Sequence, residues 1–228
     1  MTTDLWPSDV LLTRDLAVAV RFVDPFTGQA VRVPMSVSIP ALQWSAVRSE
    51  RDATYRFSLA NLPTVGGVPQ FPAWAMGTHA LEVNVPGELY AMMEPLTVTI
   101  PPAAPHVPPA PADYRVDLPL WPTRALRSPP GETAVVGRLA SSGGAAVGGW
   151  RVTLFQGGAP PPGAPYARAN AAGEFLFRLP GLKRGSSAIP TASLGVEVRD
   201  PADVVQPVAP GTITVPVGVM SMVALTVP

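Results

Sequence analysis

No cysteine occurs in the 228 residues, and there are only one lysine and two histidines. The first absence removes disulfide frameworks, thiolate zinc sites and thiol nucleophiles together, and leaves the redox compartment undecided. The second leaves general acid–base chemistry poorly supplied. Charge of either sign is not in excess, with 16 basic residues against 16 acidic ones, and the longest basic run is the pair Lys183-Arg184. A nucleic-acid binder carries a basic surplus to release phosphate counterions, so that partner class is not expected. Long apolar runs are also missing: none approaches the roughly 18 to 20 residues a membrane helix requires. The opening "MTTDLWPSDV" has neither the basic nor the apolar region of a secretory signal. No membrane insertion, and a cytoplasmic location at synthesis, are the expectations.

What is abundant is proline, 30 residues, with 20 glycines, in a chain whose apolar share is 47% and charged share 14%. Punctuation this dense leaves no room for helices of normal length, while period-two alternation recurs. Leu16, Val18, Val20 and Phe22 share one face, as do Val33, Met35, Val37 and Ile39 after the turn-like "DPFTGQ", and these two runs are read as adjacent strands. Tyr55, Phe57 and Leu59, then Leu81, Val83 and Val85, then Leu96, Val98 and Ile100 continue the pattern. The expected class is all-β, and the length favours two domains over one.

Residues 101–113, "PPAAPHVPPAPAD", hold six prolines in thirteen positions. Proline favours polyproline II, and structureless loops of this length are uncommon inside compact domains, so the segment is read as a spacer. The expected division is a β-sandwich domain with aromatic insertions at 1–100, the Pro-rich spacer at 101–113 and a second β-sandwich at 114–228. Across it the layout recurs. Leu-Trp-Pro stands at 5–7 and again at 120–122, 115 residues on. "GEFLFRLPGL" answers "TYRFSLANLP" at an offset of 120, and "LGVEVRDP" answers "LEVNVPGE" at 113. A β-domain written twice accounts for this.

In the second copy, "AVVGRLASSGGAAVGGWRVTLF" followed by "ARANAAGEFLFRLPGL" resembles the carboxypeptidase regulatory-like domains, a transthyretin-like or immunoglobulin-like sandwich class. The likeness covers residues 133–200, with Gly173 at the turn before the aromatic strand; the first copy matches loosely. It implies two tandem immunoglobulin-like/transthyretin-like β-sandwich domains joined by the Pro-rich linker, in the manner of binding, spacing or structural modules. The layout also resembles accessory structural proteins of phage tails and contractile injection particles.

Sites of chemistry are sparse. His106 lies in the proline segment and His79 opens the "HALEVNV" strand; no Gly-x-Ser-x-Gly elbow accompanies either. Asp200 and Asp203 bracket "DPAD", a turn that Asp stabilises through its own backbone rather than a calcium site, which needs six to eight oxygens. "SSGGAAVGG" lacks the Gly-Lys-Ser/Thr ending of a phosphate loop and reads as a hairpin connection. Sandwich domains of Gram-positive adhesins and pili often resemble this family and carry Lys-to-Asn isopeptide bonds, which require a lysine early in each domain; Lys183 comes late in the second. No catalytic residue, no cofactor and no metal are therefore expected.

Trp6 and Trp121 are read as plugs of their own sandwiches, the alternative being exposed contact anchors. Trp44, Phe71, Trp74 and Met76 have no counterparts in the second copy and form the candidate interface. The functional expectation is a non-enzymatic structural or adaptor component of a larger protein assembly, of phage-tail-like kind, whose partners are other protein subunits and with which a homo-oligomer is compatible. The alternative is a carbohydrate-binding or surface-recognition module that stacks sugars on Trp44 and Trp74.

Overall fold

The computed structural model describes residues 14–60, 62–66, 68–92, 94–102, 115–126, 129–183 and 190–228. These residues are built of strands, and their helical pieces are two 3-10 turns, Pro40–Leu42 and Pro86–Glu88. The first half contributes β1 (Arg14–Val23), β2 (Ser36–Ile39), β3 (Trp44–Ser45), β4 (Val47–Arg48), β5 (Thr54–Ala60), β6 (Thr64–Val65), β7 (Val68–Pro69), β8 (Gly77–Ala80), β9 (Glu82–Asn84), β10 (Tyr90–Ala91) and β11 (Thr97–Ile100). Then follow β12 (Arg115–Pro119), β13 (Trp121–Pro122), β14 (Glu132–Ser141), β15 (Arg151–Phe155), β16 (Ala167–Arg168) and β17 (Glu174–Lys183). The chain closes with β18 (Thr191–Arg199), β19 (Val205–Gln206), β20 (Thr212–Pro216) and β21 (Met220–Val227). The class is the expected one, all-β with immunoglobulin-like sandwich architecture.

Two compact units result. Of the described residues, unit 1 holds 14–22, 35–84 and 95–118, and unit 2 holds 23–34, 85–94 and 119–228. This division differs from 1–100, 101–113 and 114–228 in two respects. Two segments of the first half, 23–34 and 85–94, belong to unit 2. The strands on either side of the proline segment, β11 and β12, both fall in unit 1 up to Leu118; residues 103–113 lie outside the described residues. Proline density reports only that regular structure is locally excluded, and does not by itself mark a domain boundary.

In unit 1, β1 lies between β12 and β5, and β4 flanks β5. Val18 faces Phe57 and Val20 faces Tyr55 across the antiparallel pair. Phe22 meets Tyr55 edge-on at 5.6 Å, and the buried Tyr55 hydroxyl accepts from Met35 N–H at 3.0 Å. Ala17 and Ala19 are as buried as Val18 and Val20, so β1 is covered on both faces rather than one. β2 joins another sheet, between β3 and β9. The expectation that the runs 16–22 and 33–39 pair is thus corrected: after "DPFTGQ" the chain closes only one bridge, Val23 to Ala30, and then crosses over.

Unit 2 has the same pairing pattern. β14 pairs antiparallel with β17, Val135 opposite Phe177 and Gly137 opposite Phe175. Its other neighbour is β21, in parallel. Val152 faces Val198 as Val37 faces Val83, 115 residues on in both strands. Ile213 faces Leu194 as Val98 faces His79, at the same spacing. β18 therefore answers β8 and β9 together. This register corrects the offset of 113 for "LGVEV": Val198, not Val196, stands where Val83 stands, because identity of letters gave way to which residue faces the core partner.

Two glycines in unit 2 are demanded by packing. A Cβ on Gly137 would fall 2.0 Å from the Phe175 ring, and one on Gly173, at φ +76°, 2.2 Å from the Leu139 carbonyl. The turn before the aromatic strand is where the sequence placed it. The expectation that "SSGGAAVGG" is a hairpin connection is corrected: Ser141 N–H donates to the Ala145 carbonyl at 2.8 Å, Gly144 stands at φ +84° and Ala140 bridges Ala146, but β14 and β15 lie in different sheets, so the chain turns locally and then crosses over.

Candidate functional site

The interface candidates all lie in unit 1, and the structure separates them. β3 is held on β2, Ile39 opposite Trp44, which tilts the Trp44 ring edge-on to buried Phe57 at 5.7 Å. Trp44 is half-buried. Phe71 is core, 4% exposed, with its N–H donated to the Pro102 carbonyl at 3.0 Å. Ala75 donates back to Pro72 at 2.9 Å, closing a turn whose inner residue Ala75 is fully buried and whose tip residue, Trp74, is 60% exposed. Met76 is half-buried. His79 Nε2 lies 3.0 Å from the Ala75 carbonyl, steadying the same turn.

Sequence reasoning missed two exposed valines of unit 1. β6 and β7 form a hairpin, Val65 opposite Val68, in which Val65 is 69% exposed. Val47 on β4 is 60% exposed. The segment between β5 and β8, residues 61–76, is more than twice as long as that between β17 and β18, residues 184–190. Its excess length is the signal that could have drawn attention to Val65 as well as to Trp74.

Unit 2 gathers charges that lie far apart in the sequence. Arg178 donates to Glu132 through Nε and Nη2 at 2.7 and 2.9 Å, and through Nη1 to Asp24 at 2.7 Å. All three are buried. Burial alone would weaken the guanidinium's hold on its proton, but its bonds to the Glu132 carboxylate and the charge of Asp24 outweigh it and raise its pKa. The Tyr90 hydroxyl lies 3.5 Å from Asp24; burial, and the Asp24 charge beside it, push the phenol up to about 12. Phe26 lies edge-on to Phe177 at 4.8 Å. Residues 154 positions apart in sequence give no local signal of such a cluster.

A cavity of about 390 Å3 opens beside this cluster, lined by Phe26, Leu154, Phe155, Phe177, Arg178 and Leu194 among others. Its walls are mainly apolar, and the guanidinium within reach is already divided between two carboxylates. Trp121 is buried in the unit 2 core, its indole N–H donated to the Tyr166 carbonyl at 3.0 Å, so it plugs its own sandwich. Trp6 and His106 lie outside the described residues, as does the side chain of Lys183. Asp200 accepts from the backbone N–H of Ala202 and Val204, both at 2.9 Å, and Asp203 pairs with Arg151 at 3.0 Å. The "DPAD" carboxylates are thus engaged in the turn and in ion pairs. Among the described residues no cluster of three or more metal-ligating side chains occurs.

No protein-family model and no curated protein matches the chain. Among solved structures it is similar to the Bacillus anthracis TIE protein, at TM-score 0.30 and 9% identity over 92% of this chain and 32% of that one. The chain thus spans about a third of that protein's length. It is also similar to the shaft pilin SpaA of Lactobacillus rhamnosus GG, at TM-score 0.25 and 10% identity over 95% and 98% of the two chains. A streptococcal ancillary pilin matches at TM-score 0.25 and 14% identity over 97% and 64%. Likenesses this distant carry no functional inference.

Proposed function

We propose that the protein is a non-enzymatic structural or adaptor component of a larger protein assembly, and that unit 1 makes its main contact through the turn carrying Trp74. One observation carries this reading: a tryptophan 60% exposed at the tip of a turn whose base, Phe71 and Ala75, is buried. Ordered presentation of an indole, in a segment longer than its unit 2 counterpart, is what an interface anchor requires. The shared strand pairing supports a tandem duplication of a carboxypeptidase regulatory-like domain. A phage-tail-like or contractile injection particle is the particular assembly proposed, on sequence layout alone, and cytoplasmic synthesis goes with it. The sugar-stacking alternative loses half its platform, since the Trp44 ring packs on Phe57.

Alanine variants at the two tryptophans test the reading. Trp74→Ala is expected to leave unfolding of the isolated protein within about 0.5 kcal/mol of wild type and to weaken incorporation into the co-purifying complex by about 2 kcal/mol or more. Trp44→Ala is expected to cost stability, because it strips a ring from Phe57. If Trp74→Ala instead unfolds the protein, or leaves incorporation untouched, the contact lies elsewhere.

A further inference from the structure

We propose that the outer edge of β21 is a strand-addition site whose occupant is the same strand of a second copy, antiparallel about a two-fold axis through Met222. β21 is the edge of the three-stranded sheet β17-β14-β21. On its outer side Thr226 exchanges both backbone bonds with Ala209, at 2.9 and 2.8 Å. Backbone groups alternate in direction along a strand, so those of Ala224, Met222 and Met220 point outward with Thr226. Val219, of the other parity, accordingly accepts from Ala134 at 3.3 Å on the β14 side. Among the described residues the three outward positions have no strand partner. Met220 is 44% and Met222 87% exposed.

Free edges are normally blunted by charge, proline, a bulge or short length. β21 has none of these defences: "MSMVALTV" is eight residues without charge, proline or glycine, and its ladder with β14 runs unshifted from Ala134–Met220 to Ser141–Val227. The sequence is moreover complementary to itself. A two-fold at Met222 sets it against the partner's Met222 and sets Met220 against the partner's Ala224, a long side chain facing a short one. Three outward residues meet three, every N–H finds a C=O, and no like charges face each other. The patch is smaller than the roughly 800 Å2 per partner of a standard interface, so the association is concentration-dependent. It is independent of the Trp74 contact.

Sedimentation velocity of the 228-residue protein, from micromolar to millimolar concentration, is expected to show a monomer–dimer equilibrium. Met222→Lys and Met222→Glu should each weaken it by about fivefold or more, since like charges then face each other across the axis. An equimolar mixture of the two variants should restore it, because lysine then faces glutamate. With Met222 87% exposed, both variants should keep the wild-type thermal midpoint, which verifies their fold. A monomer at every concentration, a dimer indifferent to both substitutions, or a mixture no better than its components would each overturn the proposal.

Discussion

At the scale of single residues, the most consequential side chain is one that composition alone would pass over. Arg178 is one of 16 basic residues, yet it is 7% exposed and satisfied by two carboxylates, one from β14 and one from the turn after β1. A buried ion cluster adds little over well-packed apolar groups, but removing one member strands the others without water or a counter-charge. Arg178→Ala is therefore expected to destabilise the protein by about 3 to 5 kcal/mol. The triple change Arg178→Met, Glu132→Gln and Asp24→Asn should recover much of that loss, since the amide oxygen introduced by Asp24→Asn still accepts the Phe26 N–H that Asp24 now binds at 2.9 Å. Urea unfolding of the three proteins checks it; a triple variant less stable than the single one would mean the charges themselves stabilise the fold.

At the scale of elements, alternation found most of the long strands because their larger side chains recur every second residue, even where both faces are covered: Tyr55 and Phe57 on β5, Phe175 and Phe177 on β17, Val98 and Ile100 on β11 are core residues as their spacing implied. Which strands pair was less legible. Period two says that Val18 and Val37 point inward, not that they point inward from different sheets. The candidate site shows the same limit. Trp44, Phe71, Trp74 and Met76 are equally apolar on paper, and only turn geometry decides that Phe71 enters the core while Trp74 stays out. Segment membership has an energetic consequence too. Unit 2 includes Phe26 against Phe177, Asp24 on Arg178, and β10 paired with β13, Ala91 opposite Trp121. A fragment spanning 112–228 lacks all three. The contacts within unit 2 lead to a fragment several kcal/mol less stable than the same residues in the whole chain, on the order of 3 kcal/mol from the orphaned Glu132–Arg178 pair and the lost Phe26 packing. Thermal unfolding of the fragment beside the full chain measures this, and equal midpoints would show that segments 23–34 and 85–94 contribute nothing.

At the scale of the whole molecule, the proline segment admits two readings, a spacer between domains and a long connection within unit 1, and they predict different behaviour. β20 and β21 are joined by only Val217–Val219, whereas their counterparts β11 and β12 are separated by residues 101–114. If both connections perform the same crossover within one unit, the extra length in the first is dispensable. Loop-closure entropy depends weakly on length, each doubling costing about 0.6 kcal/mol, so the added residues carry little energetic weight either way. Deleting 103–110, which leaves six residues between β11 and β12, is expected to change unfolding free energy by less than about 1 kcal/mol, with a small gain favoured by the shorter loop. Pro102 is retained in that variant because its carbonyl accepts the Phe71 N–H that anchors the base of the Trp74 turn. Incorporation into the proposed assembly should then be unchanged as well, since the Trp74 surface keeps its support. A spacer between independent domains would behave otherwise: shortening it would leave each domain's stability alone but shrink the radius of gyration measured by small-angle scattering by an amount on the scale of the ~3.1 Å per residue removed. Unchanged scattering with unchanged stability identifies a crossover, and a marked contraction restores the spacer.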